Sequence, residues 1–226
     1  MRRRAAARSA LALALVALAP ARPGGAQPSN PSPVQSLLPS VLPLAENARA
    51  RVISHPTLAA FEIEAMMRKA VAQAKAALTG PHETGAARAL LQPLEAELGA
   101  VRILPLVEIQ QLLGAIAGIE GRTADQTFHR AFAVSLMLVL DRTGDGKSPR
   151  TARQVVLIAE EYDWFAVNPE VQRRSRVSKD IDGRTYDIWT VATAAGEETL
   201  YFDATAMGQS TLRVLAAREA AGKRPR

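Results

Sequence analysis

Hydrophobic residues between about positions 44 and 140 recur at spacings of three and four, which predicts a series of helices. One apolar stripe runs over residues 63–77 and a second over residues 87–98. Pro93 lies inside the second stripe, so we expect a kink or break there. A third stripe begins after Pro105, a residue that is typical of the first turn of a helix.

The pattern changes after GDGKSP, residues 144–149. A short β-branched run, RQVVLI, precedes AEEYDWFAV, which has the length of a helix of two turns. Asp182-Gly183 and Ala195-Gly196 predict two hairpin turns farther along the chain. The segments around these turns have the composition of strands: residues 175–180, 185–193 and 198–204. A last helix is expected over residues 209–220.

These elements predict an α+β fold, in which antiparallel helical hairpins precede a small antiparallel sheet with flanking helices. Five prolines lie in residues 27–43, and proline at this density disfavours the interior of helices and strands, so this segment is expected to be a linker. The predicted organisation is a signal peptide (1–26), a proline-rich linker (27–43), a helical unit (44–140), a small α+β unit (141–206) and a C-terminal helix with a basic tail (207–226).

The first 26 residues have the three parts of a secretory signal peptide. Arginines at the start precede an apolar run over residues 11–18, and this run is shorter than the roughly 20 residues that span a bilayer. Gly24 and Ala26 fit cleavage after Ala26, with Ala21 ending a competing site. We therefore expect export to the periplasm or the cell exterior, with no transmembrane segment after the signal is removed.

Removal of the predicted signal peptide would change the net charge of the protein. The chain has a net charge of +6 and a pI near 10.1, but five of its 28 basic residues lie in the signal segment. Removing them leaves 23 basic residues against 22 acidic ones, so a nucleic-acid-binding face is not indicated. The absence of cysteine excludes disulfides, thiol catalysis and cysteine-ligated zinc. The three histidines are too scattered in the sequence to predict a clustered metal site or a catalytic triad.

Two segments resemble known families. GDGKSPRTARQVV, EEYDWF, RTYDIWTV and TLYFDAT follow one another between Asp141 and Thr205. In this order they resemble the C-terminal part of a family of exported bacterial proteins, a domain of unknown function with GDGK, EEY and YFD motifs. That resemblance implies export and this architecture but no activity. ADQTFHRAF, residues 124–132, is similar to the second helix of a tetratricopeptide repeat, although no second copy follows, and a generic helical hairpin is an equal alternative.

The GDGKS segment raises two chemical interpretations. A phosphate-binding loop requires glycine where Asp141 lies, and its carboxylate would repel phosphate. A calcium loop finds oxygen ligands in Asp141 and Asp145, but Ala152 occupies the position of the closing glutamate, so these are weak metal candidates. A turn accounts for the glycines, for Asp145 and for Pro149. We therefore expect a turn between the two units.

EEYDW is the other candidate motif. Glu160 and Glu161 beside Tyr162 and Trp164 suggest an acid/base pair with a platform for stacking sugars. Adjacent helical residues point about 100° apart, however, so the two glutamates do not easily face one bond. The favoured interpretation is a first helical turn whose acids complement the helix dipole, with Tyr162 and Phe165 packed on the sheet.

We expect an exported, soluble, non-catalytic module that binds a protein or peptide partner in the bacterial envelope, since helical hairpins present grooves for extended peptides. The candidate binding residues are Lys147, Tyr162 and Trp164, and no cofactor is expected. The alternative is an envelope hydrolase with an acidic site at the junction of the two units, formed by Asp145, Glu160 and Glu161. That alternative requires a carboxyl group with a raised pKa.

Overall fold

Helices form the first part of the chain and a small sheet lies in the second part. The computed structural model describes residues 31–78 and 83–222. Its helices are α1 (Pro33–Ser54), α2 (Ala60–Ala77), α3 (Thr84–Ala89), α4 (Pro93–Leu98), α5 (Val107–Ile119), α6 (Thr123–Arg142), α7 (Ile158–Val167) and α8 (Thr205–Gly222). The predicted break at Pro93 is confirmed, because α3 ends at Ala89 and Pro93 begins α4. The predicted signal segment lies outside the described residues.

The sheet has four strands in the order β1-β4-β3-β2. They are β1 (Arg153–Gln154), β2 (Gln172–Ile181), β3 (Arg184–Thr193) and β4 (Gly196–Asp203). Strands β2, β3 and β4 pair antiparallel, and the short β1 pairs parallel to β4. The α+β prediction is therefore confirmed, with β1 as one parallel addition to an antiparallel sheet.

The hairpin between β2 and β3 turns at Asp182 and Gly183, as predicted. Both residues have positive φ, 50° and 76°, which is the requirement of a type I′ turn. This turn fixes the register, so that Ser178 is paired with Asp187 and Arg176 with Trp189. The register places Arg176 diagonally across from Asp187, which matters for the site described below.

The prediction of a linker over residues 27–43 is wrong from Pro33 onward, because α1 begins there. Pro33 occupies the first turn, where its missing N–H costs little, and Ser32 caps the helix. Two further prolines lie inside α1, where each would normally cost about 3 kcal/mol. Burial of Val41 and Ala45 in the core opposes that cost.

One continuous set of buried hydrophobic side chains joins the helices to the sheet. It includes Met67 of α2, Phe132 of α6, Phe165 of α7 and Phe202 of β4. The predicted boundary at residue 141 therefore marks a change of secondary structure within a shared core. Among residues 31–78 and 83–222, no helix has both the length and the apolar character needed to cross a membrane.

Candidate functional site

The GDGKS segment is a turn held by a buried arginine. Gly146 has a φ of 73°, and its backbone bonds to Thr151 and to Tyr201 of β4. The positive φ of Gly146 favours glycine, and a Cβ there would have to displace the guanidinium of Arg153. Asp145 is exposed and accepts a bond of 3.0 Å from the backbone N–H of Lys147. The expectation of a turn is confirmed.

Asp141 and Trp164 belong to the anchor of this turn. Oδ1 of Asp141 accepts bonds from Nε of Arg153 at 3.1 Å and from Nε1 of Trp164 at 2.8 Å. The guanidinium of Arg153 lies 4.1 Å from the centre of the Trp164 ring. Arg153 thus supplies the positive charge that a calcium ion would bring. This pairing argues against the predicted metal site at Asp141. Trp164 is buried, so its prediction as a binding residue is wrong.

Glu160 faces Arg49 of α1, not strands β2 and β3. Its carboxylate receives Nε of Arg49 at 2.6 Å, Nη2 of Arg49 at 3.1 Å and the backbone N–H of Val156 at 2.8 Å. Arg49 also donates to the carbonyl of Gln154 at 2.5 Å. Both charged side chains are buried. This bidentate ion pair ties α1 to β1 and α7, and its carboxylate accepts three hydrogen bonds inside the protein.

The start of α7 is held by a second acid, Glu64 of α2. Its two carboxylate oxygens accept bonds from the backbone N–H groups of Ile158 at 2.6 Å and Ala159 at 3.1 Å. A helix start needs such acceptors because its first N–H groups have no partner within the helix. Glu64 also pairs with Arg68 at 2.9 Å. The α7 helix is therefore capped by a side chain that is distant in the sequence.

Glu161 points to the sheet and joins a second acid. Its Oε2 accepts a bond of 2.6 Å from Nε1 of Trp189, while Nη2 of Arg176 donates to Oδ2 of Asp187 at 2.5 Å. Nε of Arg176 lies 3.3 Å from Oε2 of Glu161, completing a group that we call the acid pair cluster: Glu161, Arg176, Asp187 and Trp189. Burial, and then the hydrogen bond and charge of Asp187, raise the pKa of Glu161 to about 8.

The two adjacent glutamates therefore have different partners, as their helical spacing predicts. Asp145 lies apart from both, on the exposed turn, so the predicted acidic site of Asp145, Glu160 and Glu161 is wrong as a group. Lys147 is exposed on the same turn and does not line the cleft described next. Tyr162 is 39% exposed, its ring lies edge-on to Trp189 of β3 at 5.7 Å, and the guanidinium of Arg173 of β2 lies 5.1 Å from the ring centre, so Tyr162 is at the surface beside these two strands.

A cleft of about 540 Å³ opens beside the acid pair cluster. Its floor is the face of β2 and β3 that carries Arg176 and Asp187, with the hydroxyls of Ser178 and Thr185. Its walls come from α2, the start of α7, α8 and the residue that precedes α8, and they are mainly apolar: Phe61, Ile158, Ala204 and Met207. The cleft thus combines apolar walls with a few convergent polar groups, the usual character of a ligand site.

Sequence reasoning did not select Arg176 or the cleft. The bond between Asp187 and Arg176 is an ordinary cross-strand interaction of two neighbouring strands. The hairpin turn at Asp182-Gly183 was a usable signal, because it places a basic and an acidic residue diagonally across two strands. The walls were not accessible to such reasoning, since they depend on how α2 and α8 pack.

Comparison with known proteins adds no assignment to this geometry. No protein-family model, no curated protein and no solved structure matches the chain. The resemblances of residues 141–205 and 124–132 therefore stay predictions, and the site rests on the structure itself.

Proposed function

We propose that the protein is an exported, non-catalytic module of the bacterial envelope that binds a protein or peptide partner in the cleft between α2, α8 and the sheet. The observation that carries this proposal is the cleft itself, with an apolar wall at Phe61 and Met207 and a polar floor at Arg176 and Asp187. Phe61 is 53% exposed, so an apolar group of a partner would find uncovered surface there.

Export is part of the proposal and rests on the signal-like residues 1–26, with cleavage after Ala26. The non-catalytic assignment rests on how the acidic residues are used. Glu160 is neutralised by Arg49, and Asp145 is on a surface turn. The remaining acid pair is bonded to Arg176 and Trp189, which are contacts that fix a floor rather than leave a free base.

Filling the cleft tests this function. Gly208 lines the cleft, and a Cβ there meets no atom of the described residues within 4 Å, so Gly208→Phe is chosen to place a ring in the cleft. Gly85 in α3 has equally open space and does not line the cleft, so Gly85→Phe is the matched control. In crosslinking of the mature protein in the periplasm, the native chain and Gly85→Phe should capture the same partner, and Gly208→Phe should lose it. Equal capture by all three would contradict the cleft as the site.

A second function is favoured by one observation. Burial and the neighbouring Asp187 raise the pKa of Glu161 to about 8 beside the cleft, and a carboxyl that stays protonated at neutral pH can act as a general acid. The alternative is then an envelope hydrolase that uses this pair in place of the predicted acidic group. Turnover of peptidoglycan or peptide substrates by the native chain, lost in Asp187→Asn, would favour the hydrolase over the binding module.

A further inference from the structure

Strand β2 forms one edge of the sheet, with a side that pairs with no strand among the described residues. It is ten residues long, pairs with β3 on its inner side, and lies last in the order β1-β4-β3-β2. All of its residues are exposed except Arg176 and Ile181, which are half-buried. A long exposed edge of this kind offers unused backbone N–H and C=O groups to an incoming strand.

The positive charge of this edge favours an acidic incoming strand. Arg173, Arg174 and Lys179 are exposed and form no ion pair within the described part of the chain. The one acid of the strand, Asp180, accepts a bond of 2.6 Å from Thr185. A second copy of β2 would bring the same cations to this edge, so charge opposes self-pairing and favours an acidic segment.

The edge and the cleft are continuous. Arg176 and Ser178 belong to β2 and also line the cleft, because they share a face with Asp187 of β3. Side chains alternate between the two faces of a strand. A strand paired with the outer side of β2 would therefore send every second side chain towards the cleft, and the others to the outer face beside Val177, which is 58% exposed.

We propose that an acidic peptide segment adds to the outer edge of β2 as a fifth strand and inserts an apolar side chain into the cleft. This rests on the proposed binding function and specifies its mode and the chemistry of its partner. Backbone pairing supplies affinity along the edge, acidic side chains meet Arg174 and Lys179, and the apolar side chain meets Phe61 and Met207.

The probe is a labelled peptide of ten residues in which glutamate alternates with valine, compared with a version that has two central prolines. The alternating peptide should bind the mature protein and slow amide hydrogen exchange over residues 172–181 at least tenfold. The proline version should bind at least tenfold more weakly, because proline cannot donate to a ladder. Equal binding of both peptides, or protection outside β2, would overturn strand addition.

Charge reversal gives the matched control. The double variant Arg174→Glu with Lys179→Glu should weaken binding of the alternating peptide at least tenfold, while Lys69→Glu with Arg130→Glu, an equal change at exposed helical sites, should not. If poly(acrylate) protects β2 as well as the peptide does, charge alone is recognised and the proposal fails. A sedimentation experiment showing a dimer through β2 would also overturn it.

These experiments separate the two proposals. Loss of peptide binding in Gly208→Phe, with no effect of charge reversal and no protection of β2, would retain the cleft as the binding site and reject strand addition. If Gly208→Phe keeps the periplasmic partner and binds the peptide as the native chain does, the proposal that the cleft is the binding site is rejected. Protection of β2 by the peptide in that case would locate recognition at the edge alone.

Discussion

The two sides of α7 use identical, adjacent side chains in opposite ways. On the helical side, Glu160 receives a bidentate Arg49 and a backbone N–H, so its charge is fully met inside the protein. On the sheet side, Glu161 faces a second acid, Asp187, and one arginine serves both. The first region is a closed ion pair, and the second borders an open cleft.

This difference separates a stabilising role from a functional one. A buried acid that is matched by one base is best understood as part of the fold, because removing either partner leaves an uncompensated charge. Where two acids lie beside one base, the more buried acid, here Glu161, has a raised pKa, and carboxyl groups with perturbed pKa values are concentrated at functional sites. Rotation by about 100° along one helix is enough to produce both environments.

The largest expected effect lies on the closed side. Glu160→Gln keeps the shape of the side chain but leaves the Arg49 cation buried without its counter-charge. We expect a loss of about 3–5 kcal/mol in the free energy of unfolding, measured by urea denaturation. The control is Glu46→Gln, which removes an exposed pair with Arg142 at 3.7 Å and should cost about 0–1 kcal/mol. An equal loss in the free energy of unfolding for the two variants would show that the buried ion pair stabilises the fold no more than the exposed one.

A smaller effect is expected from the indole that bonds Glu161. Trp189→Phe removes the donor to Oε2 of a completely buried carboxyl, which should cost about 1–3 kcal/mol beyond the lost packing. Trp164→Phe is the matched change, because its indole bonds Asp141, whose side chain is 48% exposed and keeps Arg153. Chemical denaturation should show the larger loss for Trp189→Phe. The reverse order would mean that the acid pair cluster contributes little to stability.

The cleft side should also give the protein a pH dependence. The pKa of Glu161 is raised from 4.5 to about 8. Between these two pH values, the folded state holds a proton on Glu161 that the unfolded state has released. The contribution of Glu161 to the free energy of unfolding should fall as the pH rises from about 4.5 to 8, and then stay constant, with a slope of at most about 1.4 kcal/mol per pH unit. Glu161→Gln, which mimics the protonated acid, should lack this fall.

Other groups titrate in the same range, so the comparison between native chain and variant carries the test. Burial and neighbouring carboxylates raise the pKa of Asp163 to about 7, and burial with nearby arginines lowers that of His129 to about 4. Both contributions are common to the two proteins and cancel in their difference. Parallel stability curves for the native chain and Glu161→Gln between pH 5 and 8 would refute the raised pKa of Glu161.

Much of the fold could be predicted because it depends on local patterns. The spacing of apolar residues predicted helices between residues 44 and 140, and Asp182-Gly183 predicted the hairpin that sets the register of β2 and β3. The prolines of α1 led to the wrong prediction of a linker, because the free-energy cost of proline in a helix can be read from the local sequence. The burial of Val41 and Ala45 that opposes this cost depends on the rest of the fold.

The site was less predictable than the fold for the same reason. The motifs GDGKS and EEYDW contain chemical side chains, but their partners Arg153 and Arg49 decide their roles, and Arg49 is 111 residues from Glu160. The cleft walls at Phe61 and Met207 come from helices at opposite ends of the described chain. Periodicity indicates which face of a helix is apolar, and it does not indicate which faces meet.

A carbon-13 NMR titration of the Glu161 carboxyl, in the native chain and in Asp187→Asn, directly determines whether burial and Asp187 raise this pKa. We expect Glu161 to titrate near pH 8 in the native chain, and its pKa to fall when Asp187 loses its charge, while burial keeps the pKa above the ordinary value of 4.5. A native Glu161 that titrates near 4.5, or one that is unchanged in Asp187→Asn, would contradict a pKa that is raised by burial and by Asp187.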